Sequence, residues 1–151
     1  MMKLKIPPAL VAAILAGLMR LVALYIPLGS LILPGANWVA GALLAVGAIL
    51  GVVGLYQFYS NGTSIDPHKP SKTKALVTDG VYSYSRNPMY LALFFLLIAY
   101  ASILQNVLNL LLLPLFIWYM NRYQIVPEEE IMEKKFGEAY ERYKSEVRRW
   151  I

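Results

Sequence analysis

The stretch "NPMYLALFFLLIAYASILQNVLNLLLLPLFIWYMNRY" runs from Asn87 to Tyr123 and carries no Asp, Glu, Lys or Arg before Arg122. A soluble helix this apolar would need partners on every side. Two helices of about 17 residues joined by a tight polar break suit lipid. Gln105 and Asn106 supply that break. The stretch reads as an antiparallel hairpin, with helices at about residues 88–104 and 107–124. Asn87 is a good N-cap, Pro88 suits the first helical position, and Pro114 marks a kink in the second helix. Pro88 begins one helix and Tyr123 ends the other. Both flanks of the stretch therefore lie at one end of the hairpin.

Two further apolar segments precede it. The first, at about residues 8–26, follows Lys3 and Lys5 and opens on Pro7 and Pro8. "PLGSLILPG", from Pro27 to Gly35, reads as an exit turn. The second segment, at about residues 37–59, contains a Gly47-x-x-x-Gly51 pair, which lets helix backbones approach closely in lipid. Residues 60–87 are rich in Pro, Gly, Ser, Thr and Lys and form a loop. There Asn61-Gly62-Thr63 is a chance glycosylation sequon. His68 reads as a solvated turn residue rather than a general base, and Asp79-Gly80 as a turn. In the tail, residues 127–150, Met132, Phe136, Tyr140, Tyr143, Val147 and Trp150 recur at helical spacing. That apolar face should lie on the membrane surface or pack back on the bundle.

The chain as a whole is 58% hydrophobic and 15% charged, against roughly 25% charged for an ordinary soluble domain. These features predict an all-α integral membrane protein, a single domain over residues 1–151 with about four transmembrane helices and a C-terminal amphipathic cytoplasmic helix. No cysteine is present, and His68 is the only histidine. No metal site is expected on that donor set. The first apolar run lacks a small-x-small exit, so no cleavable signal is expected. The net charge is +5, and nearly all the Lys and Arg residues lie in the N-terminal segment, the long loop and the tail. The positive-inside rule then places both termini and the long loop in the cytoplasm, and nucleic acid is not an expected partner. Arg20 stands apart, either snorkelling to the outer interface or pairing inside the bundle.

Two polar clusters flank the hairpin. In "DGVYSYSRNPMY", Asp79 to Tyr90, capping accounts for Asn87 and Pro88, and the tyrosines suit an interface belt. Arg86 is unexplained: a cation at the positive end of a helix dipole needs an anionic partner. In "VPEEE", Val126 to Glu130, Pro127 starts a helix and glutamates favour its dipole. Three in a row exceed that need. The hairpin brings Arg86, Asn87 and Tyr90 to face Glu128 and Glu129. Phe136, Tyr140 and Tyr143 are placed to fold over them as an aromatic lid.

At these residues the chain resembles the isoprenylcysteine carboxyl methyltransferase family and its phospholipid methyltransferase relatives. The resemblance covers about Ile65 to Trp150. It consists of "GVYSYSRNPMY", a membrane hairpin, a Glu-Glu pair at Glu128 and Glu129, and "FGEAYERY". It implies S-adenosylmethionine as methyl donor, with Tyr82, Asn87, Pro88, Met89, Tyr90, Glu128, Glu129, Tyr140 and Tyr143 as its binding residues. Glu128 and Glu129 are suited to its ribose hydroxyls or its ammonium, the helix start to its carboxylate, and Tyr140 and Tyr143 to its adenine. Arg86, Tyr90 and Glu129 would be catalytic. Arg86 would orient an anionic head group, and Glu129 or Tyr90 would serve as base if the acceptor is an amine. The acceptor would be a lipophilic or prenylated molecule entering from the bilayer at the cytoplasmic face. Asn87 stands where the isoprenylcysteine enzymes have histidine, which leaves the substrate open.

Two other readings fit the membrane character. A membrane reductase using NADPH, related to the sterol reductases, is disfavoured by a tail too short for the larger dinucleotide. A non-catalytic lipid-binding protein leaves the two polar clusters without a purpose.

Overall fold

A computed structural model of the chain describes residues 6–30, 32–60 and 75–151. His68 and the Asn61-Gly62-Thr63 sequon lie outside these residues. The described residues form six helices: α1 Pro8–Tyr25, α2 Ala36–Ser60, α3 Pro88–Leu104, α4 Leu112–Met120, α5 Val126–Phe136 and α6 Glu138–Glu146.

α1 and α2 are long and apolar enough to cross a membrane. At 1.5 Å per residue, the 25 residues of α2 span about 37 Å, more than the roughly 30 Å of a hydrocarbon core. Its large side chains point outward, with Trp38 86% and Val52 66% exposed, while the buried positions are Ala36, Ala40, Gly47 and Gly54. A helix that hides its small residues and shows its large apolar ones is built for lipid. The small face lies on α3. A Cβ on Gly47 would stand 3.1 Å from the Ala92 carbonyl oxygen, and one on Gly51 3.6 Å from the Ala92 Cβ. Arg20 is exposed on α1, not inside the bundle.

α3 is the central helix. On one side it meets α2. On the other, Tyr90, Leu97 and Ala101 pack with Val11, Leu15 and Met19 of α1 and with Leu113, Phe116 and Met120 of α4. α3 ends at Gln105, whose φ of 49° reverses the chain. Buried Asn106 completes the turn: its Oδ1 accepts the Leu108 amide, and its Nδ2 donates to the Ile26 carbonyl at 2.9 Å.

The return path departs from the expected helix 107–124 followed by a separate tail. A 3-10 turn, Val107–Leu111, leads into α4, and a π turn, Asn121–Ile125, joins α4 to α5 without a break. Pro114 sits just inside α4, where the winding changes, instead of kinking a long helix. Pro127 does not start a new helix either. It has no N–H, and its ring would press on the carbonyl one turn back. The π turn widens the backbone upstream, with the Val126 N–H reaching five residues back to the Asn121 carbonyl. One helical path therefore carries residues from the hairpin directly into the glutamates.

The expected helix over 127–150 is two helices and an extended end. Gly137, at φ 53° and ψ −128°, occupies backbone space closed to other residues and stops α5. After α6, Val147 is extended. The apolar face of the tail packs back on the loop before α3: Tyr140, Tyr143 and Val147 form a second cluster with Val77 and Tyr82. Trp150 leaves that face and joins the main core beside Phe94 and Phe116.

Candidate active site

The segment before α3 is held by α2. Gln57 accepts the Val81 amide on its Oε1 and donates through Nε2 to the Asp79 carbonyl. Gly80 lies beneath it with φ 57°, and a Cβ there would fall 1.9 Å from the Gln57 Nε2. Close packing on Gln57 therefore accounts for this glycine. The turn Gly80–Ser83 then sets Tyr82 inward, and Ser85, Arg86 and Asn87 lead into Pro88.

A cavity opens where this segment meets α5. Its wall includes Phe58, Tyr82, Arg86, Asn87, Pro88, Met89, Tyr90, Glu128, Glu129 and Tyr140, and its volume is about 90 Å³. All the expected site residues except Tyr143 line it. Tyr143 stands one layer behind: its hydroxyl donates to the Tyr82 carbonyl at 2.6 Å, and its ring meets Tyr140 edge-on at 6.2 Å. Burial raises the hydroxyls of Tyr82, Tyr140 and Tyr143 above the ordinary tyrosine range, so they stay protonated.

The two adjacent glutamates have different partners. Glu128 accepts a hydrogen bond from the Tyr90 hydroxyl at 2.5 Å. Burial of its carboxyl outweighs that bond, and with Glu129 also raising it, the pKa is pushed up to about 8. Glu129 is a buried ion-pair centre. Its Oε1 accepts from Arg86 Nη2 at 2.8 Å and from Arg149 Nε at 2.9 Å, and its Oε2 accepts from Arg149 Nη2 at 2.6 Å. Both of its oxygens are occupied. The anion that Arg86 requires is therefore supplied from within the chain. Glu130 is exposed.

The expected N-cap role of Asn87 is not seen. Its side chain makes no capping bond; its Nδ2 donates to the Arg149 carbonyl at 2.9 Å. The Arg86 amide donates to the Arg148 carbonyl at 3.0 Å. The extended end of the tail is thus stitched to the segment before α3. Arg149 was invisible as a site residue in the sequence, because it sits in a basic tail that the positive-inside rule already explains. Gln57 was equally hidden, being one polar residue in an apolar helix.

Among the described residues, two buried polar atoms in this wall have no partner: the Tyr82 hydroxyl and the Arg86 Nε. An unpaired buried donor costs free energy unless a ligand satisfies it. The arrangement therefore offers two free donors, one carboxyl able to take up negative charge, and an aromatic ring from Tyr140.

Residues 36–139 match the profile of a family described as phospholipid methyltransferase. The Schizosaccharomyces pombe protein named protein-S-isoprenylcysteine O-methyltransferase is 32% identical over 104 residues, covering 69% of this chain and 44% of that protein. The human protein of that name is 32% identical over 110 residues, covering 72% of this chain and 39% of its own length. An uncharacterized protein from Haemophilus influenzae is 46% identical over 63 residues, its whole length and 42% of this chain. The chain spans less than half the length of these two methyltransferases. The profile match takes in Tyr82, Arg86, Tyr90, Glu128 and Glu129 and ends before Tyr140, Tyr143 and Arg149. The chain belongs to the phospholipid methyltransferase family.

Proposed function

We propose that the protein is an integral membrane methyltransferase that takes its methyl group from S-adenosylmethionine and gives it to a lipophilic acceptor at the cytoplasmic face. The observation that carries this reading is the cavity wall in which Glu128 and Tyr90 stand beside two unpartnered donors, Tyr82 Oη and Arg86 Nε. The donor would bring an electrophilic methyl on a sulfonium, which becomes a neutral thioether when the acceptor's lone pair takes the methyl. Glu128 would face the cationic part of the donor, Tyr82 and Arg86 its carboxylate, and Tyr140 its aromatic base. Glu129 would hold Arg86 in place and not touch the donor itself.

Positioning and exclusion of water carry most of such a displacement. A carboxylate acceptor needs no base. An amine acceptor loses a proton, and ionised Glu128 is the carboxylate in this wall with an oxygen not engaged by arginine. The relatives are named for oxygen methylation of an isoprenylated cysteine, which makes a lipophilic carboxylate the first acceptor to try. The cavity lies at the end of α3 that follows the basic loop, and under the positive-inside rule that end would face the cytoplasm. α1 and α2 would span the bilayer, with α3 and the α4 path completing the bundle.

Calorimetry of the detergent-solubilised protein with S-adenosylhomocysteine and with NADPH tests the reading. Binding of the first and not the second is expected. A folded protein that binds only NADPH, or neither, would overturn it. Labelled S-adenosylmethionine with a total lipid extract then identifies the acceptor by the product that takes up label.

A further inference from the structure

We propose that Arg149 is a positioning residue: through Glu129 it latches the extended segment Val147–Trp150 beside the cavity and so governs the rate at which a ligand enters and leaves. The choice of ligand probe below rests on the methyl-donor reading; the latch itself rests on geometry.

The segment is held by bonds to the cavity wall and, at its far end, to the π turn. The carbonyls of Arg148 and Arg149 accept from the Arg86 amide and the Asn87 side chain at 3.0 and 2.9 Å. Trp150 Nε1 donates to Asn121 Oδ1 at 3.0 Å and anchors the far end. The Arg149 guanidinium makes a two-pronged contact with Glu129, which also holds Arg86. One carboxylate thus ties a wall residue to the tail that carries Tyr140.

The two ion pairs are not equivalent. The Arg86 side chain is 9% exposed, and the Arg149 side chain is 36% exposed. Breaking the inner pair would strand a buried guanidinium. Breaking the outer one lets Arg149 reach water, while Glu129 keeps Arg86 as its counter-charge. The outer pair is therefore the one that opens at low cost. Opening there would enlarge a cavity of about 90 Å³, which is below the roughly 300 Å³ or more of ordinary small-molecule sites.

The full-length protein in detergent, as wild type, Arg149→Gln and Arg149→Lys, would be mixed with S-adenosylhomocysteine, and both rate constants measured by stopped-flow. In Arg149→Gln both the association and the dissociation rate constants should rise about tenfold, the equivalent of one charge-assisted hydrogen bond. Arg149→Lys should fall between. Amide exchange at Arg86, whose N–H bonds the Arg148 carbonyl, should quicken in Arg149→Gln while the thermal midpoint of the bundle holds. A rise in dissociation alone would make Arg149 an ordinary ligand contact and overturn the proposal, as would unchanged rates. Should Arg149→Gln not fold, the wild-type association rate decides: it should increase with salt, which screens the partly exposed Arg149, and an unchanged rate overturns the latch. Should the wild type not bind S-adenosylhomocysteine, the methyl-donor reading fails by itself. The latch is then judged by Arg86 exchange alone, and equal protection in wild type and variant overturns it.

Discussion

Binding of S-adenosylhomocysteine should expel a proton from Glu128. With its pKa pushed up to about 8, Glu128 is about 90% protonated at pH 7 in the empty protein. A ligand ammonium against this carboxyl favours the charged form and drives the proton off. About 0.9 proton should therefore leave per ligand bound at pH 7, and only about 0.1 at pH 9. Affinity should strengthen up to tenfold per pH unit below about pH 8 and level off above it. Titration calorimetry at pH 7 in phosphate, Tris and imidazole reads the proton number as the slope of observed enthalpy against buffer ionisation enthalpy. Glu128→Gln should bring the slope to zero and flatten the affinity profile. The same group sets a sign for stability. Its folded pKa lies above its unfolded value, so its contribution is complete below about pH 4.5 and is lost as pH rises to about 8. The ligand-free wild type should melt lower across that window by up to about 1.4 kcal/mol per pH unit, and Glu128→Gln should lack this slope. Tight binding by the wild type with no proton release would refute the reasoning, because Glu128 would then meet the ligand as a neutral acid, for instance on a ribose hydroxyl.

Glu129→Gln should act through the fold: two guanidinium groups lose their counter-charge, at a cost of about 3 kcal/mol in denaturation, with weaker S-adenosylhomocysteine binding as a consequence. Tyr82→Phe removes a hydroxyl that has no partner among the described residues. It should leave the melting temperature unchanged or raise it slightly and weaken S-adenosylhomocysteine binding about tenfold in calorimetry; loss of stability instead would place that hydroxyl in the fold and not in the site. Gly47→Val sets a branched side chain against the Ala92 carbonyl, where even a Cβ has only 3.1 Å. It should destabilise the α2–α3 pair by about 1–3 kcal/mol, measured by detergent denaturation, whereas Gly17→Ala, on an open face of α1, should not.

Much of the architecture was readable along the chain. Long apolar runs, Pro88, the break at Gln105-Asn106 and the glycines of α2 are local signals, set by backbone chemistry and by the length a helix needs in lipid. The chain reversal between Tyr90 and Glu128 was enough to suggest that two distant polar clusters share one end. Other features were not readable, because they depend on which partners surround a residue. Glu128 and Glu129 are neighbours of identical chemistry, yet a helix turns about 100° between them. One turns to Tyr90 and holds its proton; the other turns to Arg86 and Arg149 and is clamped as an ion-pair centre. Asn87 has the composition of a cap but spends its side chain on the tail, because the Arg149 carbonyl lies within reach there. Pro127, which reads as a helix start, sits in a continuous helix because a π turn upstream relieves it. The amino acids by themselves determined a lipid-facing bundle with a polar end. Only the tertiary structure decided which carboxylate pairs with Tyr90 and which is clamped by two arginines, since burial and ion pairing are set by residues far apart in the chain.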